Sequence, residues 1–229
     1  MGPPQVTRIL KSDAFGRVEL LRGASGPLVR RTTEGARPGL GWLARRLLAR
    51  ERRALSHLGD LDGLPRLVQD EAGAGPPGLL RTWLPGVPLW ATDTLADDWF
   101  ERLEVLVRSL HARGVSHGDL GKENNLLVLE DGGPGLVDFQ LARVGPAPLG
   151  PGDRRVRHDL RCVAKHRRRY ERAAGRPAAE VPPRPWTSRL WRAAGKPLLR
   201  LVTHGLSLEE REPRRPREGP WPRRVPGRD

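Results

Sequence analysis

The stretch Val115–Ala142, VSHGDLGKENNLLVLEDGGPGLVDFQLA, constrains this chain more than any other. Two short apolar runs, Leu126–Leu129 and Gly135–Asp138, flank EDGGP, a turn sequence that permits a tight reversal. Paired as an antiparallel hairpin, they set Leu129 opposite Gly135 and Leu126 opposite Asp138. Asn125 then lies at the same end as Asp138, and Asp119 sits six residues before Asn125, in the loop leaving a helical segment that ends near Gly114. Two carboxylates and an amide oxygen at one end of a hairpin suit a hard divalent cation such as Mg²⁺, which takes a few protein oxygens and leaves room for water and phosphate oxygens. A carboxylate beside it can orient a hydroxyl and accept its proton, an effect worth about 10²–10⁴ in rate. Phosphoryl transfer requires such a set.

Upstream, GRVELLRGASGPLVRR holds two apolar runs, Val18–Leu21 and Leu28–Val29, across the turn GASGP, which predicts a strand hairpin. Leu43, Leu47, Leu48, Leu55 and Leu58 recur at helical spacing, with Glu51 on the same stripe. A carboxylate facing a core needs a cationic partner; at the stripe's edge it would instead reach into water, and the pattern admits both. LPRLV and GLLRTWL read as two further strands, and PGVPL as a connection between lobes. Thr94 opens a second helix, with Asp97 as a capping-box partner, a buried stripe of Leu95, Trp99, Leu103, Leu106 and Leu110, and Gly114 as its stop. HDLRCVAKHRRRYERAAG predicts a basic helix, and the Pro/Arg-rich sequence from 206 to 229 predicts disorder.

Charge divides unevenly along the 229 residues, whose net formal charge is +14. Residues 151–229 hold 22 Lys/Arg against 9 Asp/Glu, whereas residues 1–150 hold 19 against 18. A basic C-terminal region fits an anionic partner such as nucleic acid, a lipid surface or phosphates, but it fits better a chain that uses arginine as its general solubilising residue. Only four lysines occur, Lys11, Lys122, Lys165 and Lys196. One cysteine excludes an internal disulfide framework and six histidines without ligand spacing argue against zinc. With no apolar run of membrane-spanning or signal-peptide length, the chain is expected to be cytoplasmic or peripheral at the inner membrane.

HGDLGKENNLLV followed by LVDFQLA resembles the catalytic loop and metal-binding segment of protein-kinase-like enzymes, H-x-D-L-x-x-x-N and D-F-G. Among these the chain looks most like small bacterial proteins related to RIO kinases and to the lipopolysaccharide kinases acting on Kdo or heptose. The resemblance implies an α+β, bilobal fold: an N-lobe over residues 1–86, a mostly helical C-lobe over 87–205, and the tail 206–229. It implies Asp119 as catalytic aspartate, with Asn125 and Lys122 beside it, Asp138 and Asn125 as Mg²⁺ ligands, and His117 as a structural brace. Asn124 is the alternative to Asn125, because one residue is inserted in the loop. Gly16 and Val18, in SDAFGRVEL, match the end of the loop that covers ATP phosphates, although Ser12 and Ala14 stand near where the family has further glycines. No lysine is present at the strand position that the family uses to clamp the phosphates. Arg30 takes that place, paired with Glu51, and Arg31 is the alternative.

Three departures shape the expected function. Gly118 replaces the arginine that grips a phosphorylated activation loop, Gln140 replaces the glycine of D-F-G, and no A-P-E segment follows, with Asp159 expected to anchor a helix. The implied activity is Mg²⁺/ATP-dependent transfer of the γ-phosphoryl group to a hydroxyl, on a protein serine or threonine or on a lipopolysaccharide sugar. The competing reading is a pseudokinase that serves as a scaffold or binds nucleic acid through its basic region.

Overall fold

In the computed structural model, residues 4–68, 78–92, 94–178 and 180–182 are described. Four antiparallel strands come first in space: β1 (Gln5–Asp13), β2 (Gly16–Gly23), β3 (Gly26–Thr32) and β4 (Gly78–Thr82), in the order β1-β2-β3-β4. The two-residue turn Ala24–Ser25 pairs Gly23 with Gly26, and that register sets Glu19 opposite Arg30 and Val18 opposite Arg31. Since successive side chains point to opposite faces, Arg30 and Arg31 are sent to different sides of the sheet. Helix α1 (Gly41–Leu58) lays Ala44, Leu47, Ala54, Leu55 and Leu58 into the core, with Glu51 among them. LPRLV forms no strand: Leu67 makes one isolated bridge to Arg81, consistent with the donor that Pro65 removes from the run.

The second part packs helices around the expected hairpin. Its elements are β5 (Gly86–Pro88), α2 (Trp99–Ala112), β6 (Val115–Ser116), β7 (Leu126–Leu129), β8 (Pro134–Leu136), β9 (Arg143–Val144) and α3 (Arg154–Ala173). PGVPL does more than connect, because β5 adds to the hairpin as a third strand in the order β5-β7-β8. Helix α2 begins at Trp99 rather than Thr94, and the Thr94–Asp97 box does not form. The Thr92 hydroxyl donates to the Thr94 carbonyl at 2.6 Å, the oxygen that a helix capped there would give to its own first turn. Leu95, Trp99, Leu103, Leu106 and Leu110 are nevertheless all buried, and Gly114 ends the segment at φ +76°.

The hairpin register differs from the expected one by two residues: Leu126 pairs with Leu136 and Leu127 with Gly135. The turn is responsible, since Gly132 donates to the Leu129 carbonyl and Leu129 to Gly133, which closes the strands one step earlier than EDGGP suggested. A two-residue slip keeps every side chain on its face. One core joins both parts, with Leu55, Leu58 and Leu79 packed in the same cluster as Trp99, Leu103, Leu126, Leu136, Phe139 and Val163. Each such leucine stabilises the fold by about 1.5–3 kcal/mol through burial alone. The fold is α+β, with a β-rich first portion and helices after it. The expected tail, 206–229, lies outside the described residues.

Candidate functional site

The site is framed at its neck by β6 and β9, which pair Val115 with Val144 and Ser116 with Arg143. Everything between them, the 117–125 loop, the hairpin and the 137–142 segment, is thereby returned to one place. Beyond the last paired residues of the hairpin, the Val137 amide donates to the Asn125 carbonyl at 3.1 Å. That bond brings Asn125 beside the backbone carrying Asp138, so the sequence expectation of one shared hairpin end holds despite the changed register.

Within the loop, Asn125 Nδ2 donates to the Asp119 carbonyl at 3.0 Å and to Asp119 Oδ2 at 3.2 Å. Its Oδ1 takes no part in these two bonds. Lys122 Nζ stands 2.7 Å from the same Asp119 Oδ2, while most of its side chain is exposed. Asn124 turns elsewhere, its Oδ1 accepting from Trp90 Nε1 at the β5 side. Asn124 thus bonds Trp90, and Asn125 bonds the candidate catalytic carboxylate.

His117 is fully buried, and its protonation follows from its bonds. Nε2 faces the Val137 carbonyl at 3.1 Å and must carry hydrogen, while Nδ1 accepts from the Asp119 amide at 3.3 Å. Both roles are filled by neutral imidazole. Burial pushes its pKa below the ordinary value, only partly opposed by the Asp159 charge and the Val137 carbonyl. Its ring packs on Phe139 at 4.6 Å between centroids.

Helix α3 supplies the outer support. Asp159, buried completely, accepts from the amides of His117 at 2.8 Å and Gly118 at 3.0 Å, and faces His111 Nε2 at 3.1 Å. Two turns further along α3, His166 Nε2 donates to the Leu120 carbonyl at 2.9 Å, and beyond it Arg169 pairs with Glu123 at 3.1 Å. Asp159 was expected to anchor a helix; it anchors the loop instead, from the helix. Its place six residues into a run of basic text gave a hint, since a lone acid there calls for a partner, but the partner's identity is tertiary.

Opposite the loop stands an ion cluster. Arg31 Nη1 lies 2.9 Å from Glu51 Oε2 and 3.1 Å from Asp138 Oδ1, joining the sheet, α1 and the metal-candidate aspartate. The expected pairing of Arg30 with Glu51 is corrected: Arg30 binds Glu19 at 2.8 Å on the other face, as strand alternation requires, and Arg31 holds Glu51. Glu51 is wholly buried, and a second guanidinium, Arg81 Nε, approaches its Oε1 at 3.4 Å. Sequence reasoning missed Arg81, whose signal was a lone cation inside the apolar strand GLLRTWL. Burial by itself would raise the Asp138 pKa; Arg31, bonded to it, and Lys122 and Arg81 nearby outweigh this and hold the carboxyl below its ordinary value. Asp138 is also the one non-glycine among the described residues with positive φ, at φ +67° and ψ +69°. A residue held in that sparsely populated region costs about 1–3 kcal/mol, which surrounding structure must outweigh.

Gly16 and Val18 lie where β1 turns into β2. Phe15 donates to Asp13 Oδ1 at 2.8 Å in a local turn, and Gly16 has φ +127° with the Thr32 carbonyl where a Cβ would go. Phe15, Gly16, Val18, Arg31 and Gln140 line a narrow cleft under this turn, whose walls include no residue of the 117–125 loop. The described residues contain no cluster of three His, Cys, Asp or Glu side chains able to hold a metal. No described helix is long and apolar enough to cross a membrane. No protein-family model matches the chain, and no curated protein does.

Proposed function

We propose that the protein is a kinase-like phosphotransferase with a bilobal fold, using Mg²⁺ and ATP to phosphorylate a hydroxyl. The observation that carries this reading is Arg31, whose one nitrogen bonds both Glu51 and Asp138, while across the hairpin end Asn125 holds Asp119. Asp138 and the Asn125 oxygen would take the metal, which supplies charge neutralisation on the phosphates. Arg31 would reach those phosphates and the backbone at Gly16 and Val18 would cover them, a reading supported by the one cleft that all three line. Asp119 orients the acceptor hydroxyl and receives its proton as the oxygen bonds to the γ-phosphorus and the bond from that phosphorus to the β–γ bridging oxygen breaks. Lys122, paired with Asp119, would steady the transferred group. Neutral His117 and charged Asp159 hold the loop and take no part in the chemistry. The acceptor is a protein serine or threonine, or a lipopolysaccharide sugar.

The test compares wild type, Asp138→Asn and Asp119→Asn for Mg²⁺-dependent ATP binding and for turnover. Asp138→Asn is expected to lose metal-dependent binding, and Asp119→Asn to bind ATP while transferring about 10²–10⁴-fold more slowly. Equal behaviour of all three proteins ends the assignment. A binding-only, pseudokinase reading draws on one observation, the β1–β2 turn closed by Ala14 and Phe15 alone, which offers few amides to phosphates. Nucleotide binding by wild type without turnover would favour it.

A further inference from the structure

The cluster around Glu51 holds two cations and two carboxylates, but the contacts are shared unequally. Arg31 Nη1 serves both Glu51 Oε2, at 2.9 Å, and Asp138 Oδ1, at 3.1 Å. Arg81 Nε faces Glu51 Oε1 at 3.4 Å without hydrogen-bond geometry, and both atoms are buried with no other hydrogen-bond partner. A buried donor and a buried acceptor thus confront each other one small displacement short of a bond. Unsatisfied buried groups of this kind call for an explanation, because each forfeits its hydration.

The explanation follows from what Arg31 is asked to do. An arginine that turns toward phosphates must relax its hold on Glu51. In a site with one cation, that would strand a fully buried carboxylate inside the core face of α1. Here a second guanidinium is already in place. The backbone of Arg81 is fixed on both sides, opposite Val29 in β3 and by the bridge to Leu67, and its buried side chain already brings Nε to 3.4 Å from Glu51 Oε1. We propose that Arg81 is a positioning residue that takes over Glu51 when Arg31 is drawn to the phosphates, keeping α1 docked while Arg31 is exchanged. The takeover rests on the phosphotransferase reading; the charge sharing at Glu51 does not.

Two measurements separate these. In ligand-free protein, urea unfolding of Arg81→Met, Glu51→Gln and the double variant gives the Arg81–Glu51 coupling, with and without Arg31→Met. The coupling is expected to grow at least fivefold, as an equilibrium constant, once Arg31 is removed; a coupling that is absent or unchanged overturns the proposal. Arg81→Lys, which keeps the charge if Arg81→Met folds poorly, is expected to retain at least half the wild-type coupling signal, and a complete loss there counts equally against it. In the second measurement, Mg-ATP is titrated into wild type, Arg81→Met and Arg81→Lys, with hydrogen exchange followed on α1. Arg81→Met should weaken binding at least tenfold and accelerate α1 exchange only in the nucleotide-bound state, with Arg81→Lys restoring both. Identical affinity and α1 exchange in wild type and Arg81→Met overturn the takeover. A wild type that binds no Mg-ATP overturns the phosphotransferase reading instead, and the ligand-free coupling then decides the role of Arg81.

Discussion

Asp159 accepts the His117 amide at 2.8 Å with the same Oδ2 that faces His111, and the Gly118 amide with the other oxygen. A carboxylate on α3 therefore sets the backbone at the start of the loop that presents Asp119. Asp159→Asn keeps the shape but replaces one acceptor with a donor aimed at an amide. It is expected to cost about 1–3 kcal/mol, seen as a lower urea midpoint. Where the variant still folds, turnover should fall with little change in ATP affinity. Loss of affinity with turnover intact would reverse this picture of the loop.

The two adjacent arginines of β3 give opposite expectations. Arg30→Met removes the partner of Glu19 and should cost about 1–3 kcal/mol of stability, leaving Mg-ATP affinity within about threefold, which is under 1 kcal/mol. Arg31→Met should lose at least about tenfold in affinity, or 1.4 kcal/mol. Calorimetric titration of both variants checks the pair, and the reverse order would return the phosphate role to Arg30.

His117 makes stability depend on pH. Its folded pKa lies below the ordinary value because burial disfavours the cation. On acidification the unfolded chain gains its proton first, so stability falls as pH drops through the unfolded value, about 6.5, and the loss stops below the folded pKa. One such group gives a slope of at most about 1.4 kcal/mol per pH unit. Unfolding of His117→Asn between pH 7 and 5 should show a slope shallower by part of that amount. An unchanged slope would assign the effect to other groups.

Gly118 has no room for a side chain in its present conformation. It has φ +79°, and a Cβ would stand 2.7 Å from the Leu141 carbonyl. Gly118→Ala is expected to destabilise by about 2 kcal/mol or more, and Gly118→Arg by at least as much. Thermal unfolding of both variants tests this; an alanine tolerated within about 0.5 kcal/mol would mean that the loop and the 139–141 turn can part.

Cys162, the chain's one cysteine, sits under the loop with its thiol pushed up to about 11, by burial first and by the Asp159 charge second. At pH 8 the thiolate fraction is then about 100-fold below that of an ordinary buried-free thiol two units lower. Iodoacetamide should label the folded protein slowly and the urea-unfolded protein fast. Comparable rates would show that α3 leaves the loop readily.

Much of the site could be read from the sequence because its key residues are local. Asp119, Asn125 and Asp138 fall within one loop and one hairpin, so turn chemistry alone gathers them, even with the register two residues out. The Arg30–Arg31 choice went the wrong way, although GASG permits a two-residue turn that puts Glu19 across from Arg30 and sends Arg31 to the other face. Arg81, His111, Asp159 and His166 were not legible in these roles. Each acts on a residue 30 or more positions away, and no periodicity encodes such a partner. The start of α2 failed for a smaller reason, a threonine hydroxyl that captured the carbonyl a helix would have needed.

The dependence of the loop on α3 carries a consequence for synthesis on the ribosome. A nascent chain released as far as Val144 already holds every candidate catalytic side chain, the hairpin and both strands of the neck. Until Asp159 and His166 follow, the amides of His117 and Gly118 and the Leu120 carbonyl lack the partners they have in the folded chain, so this part of the loop is completed only when the third helix has emerged.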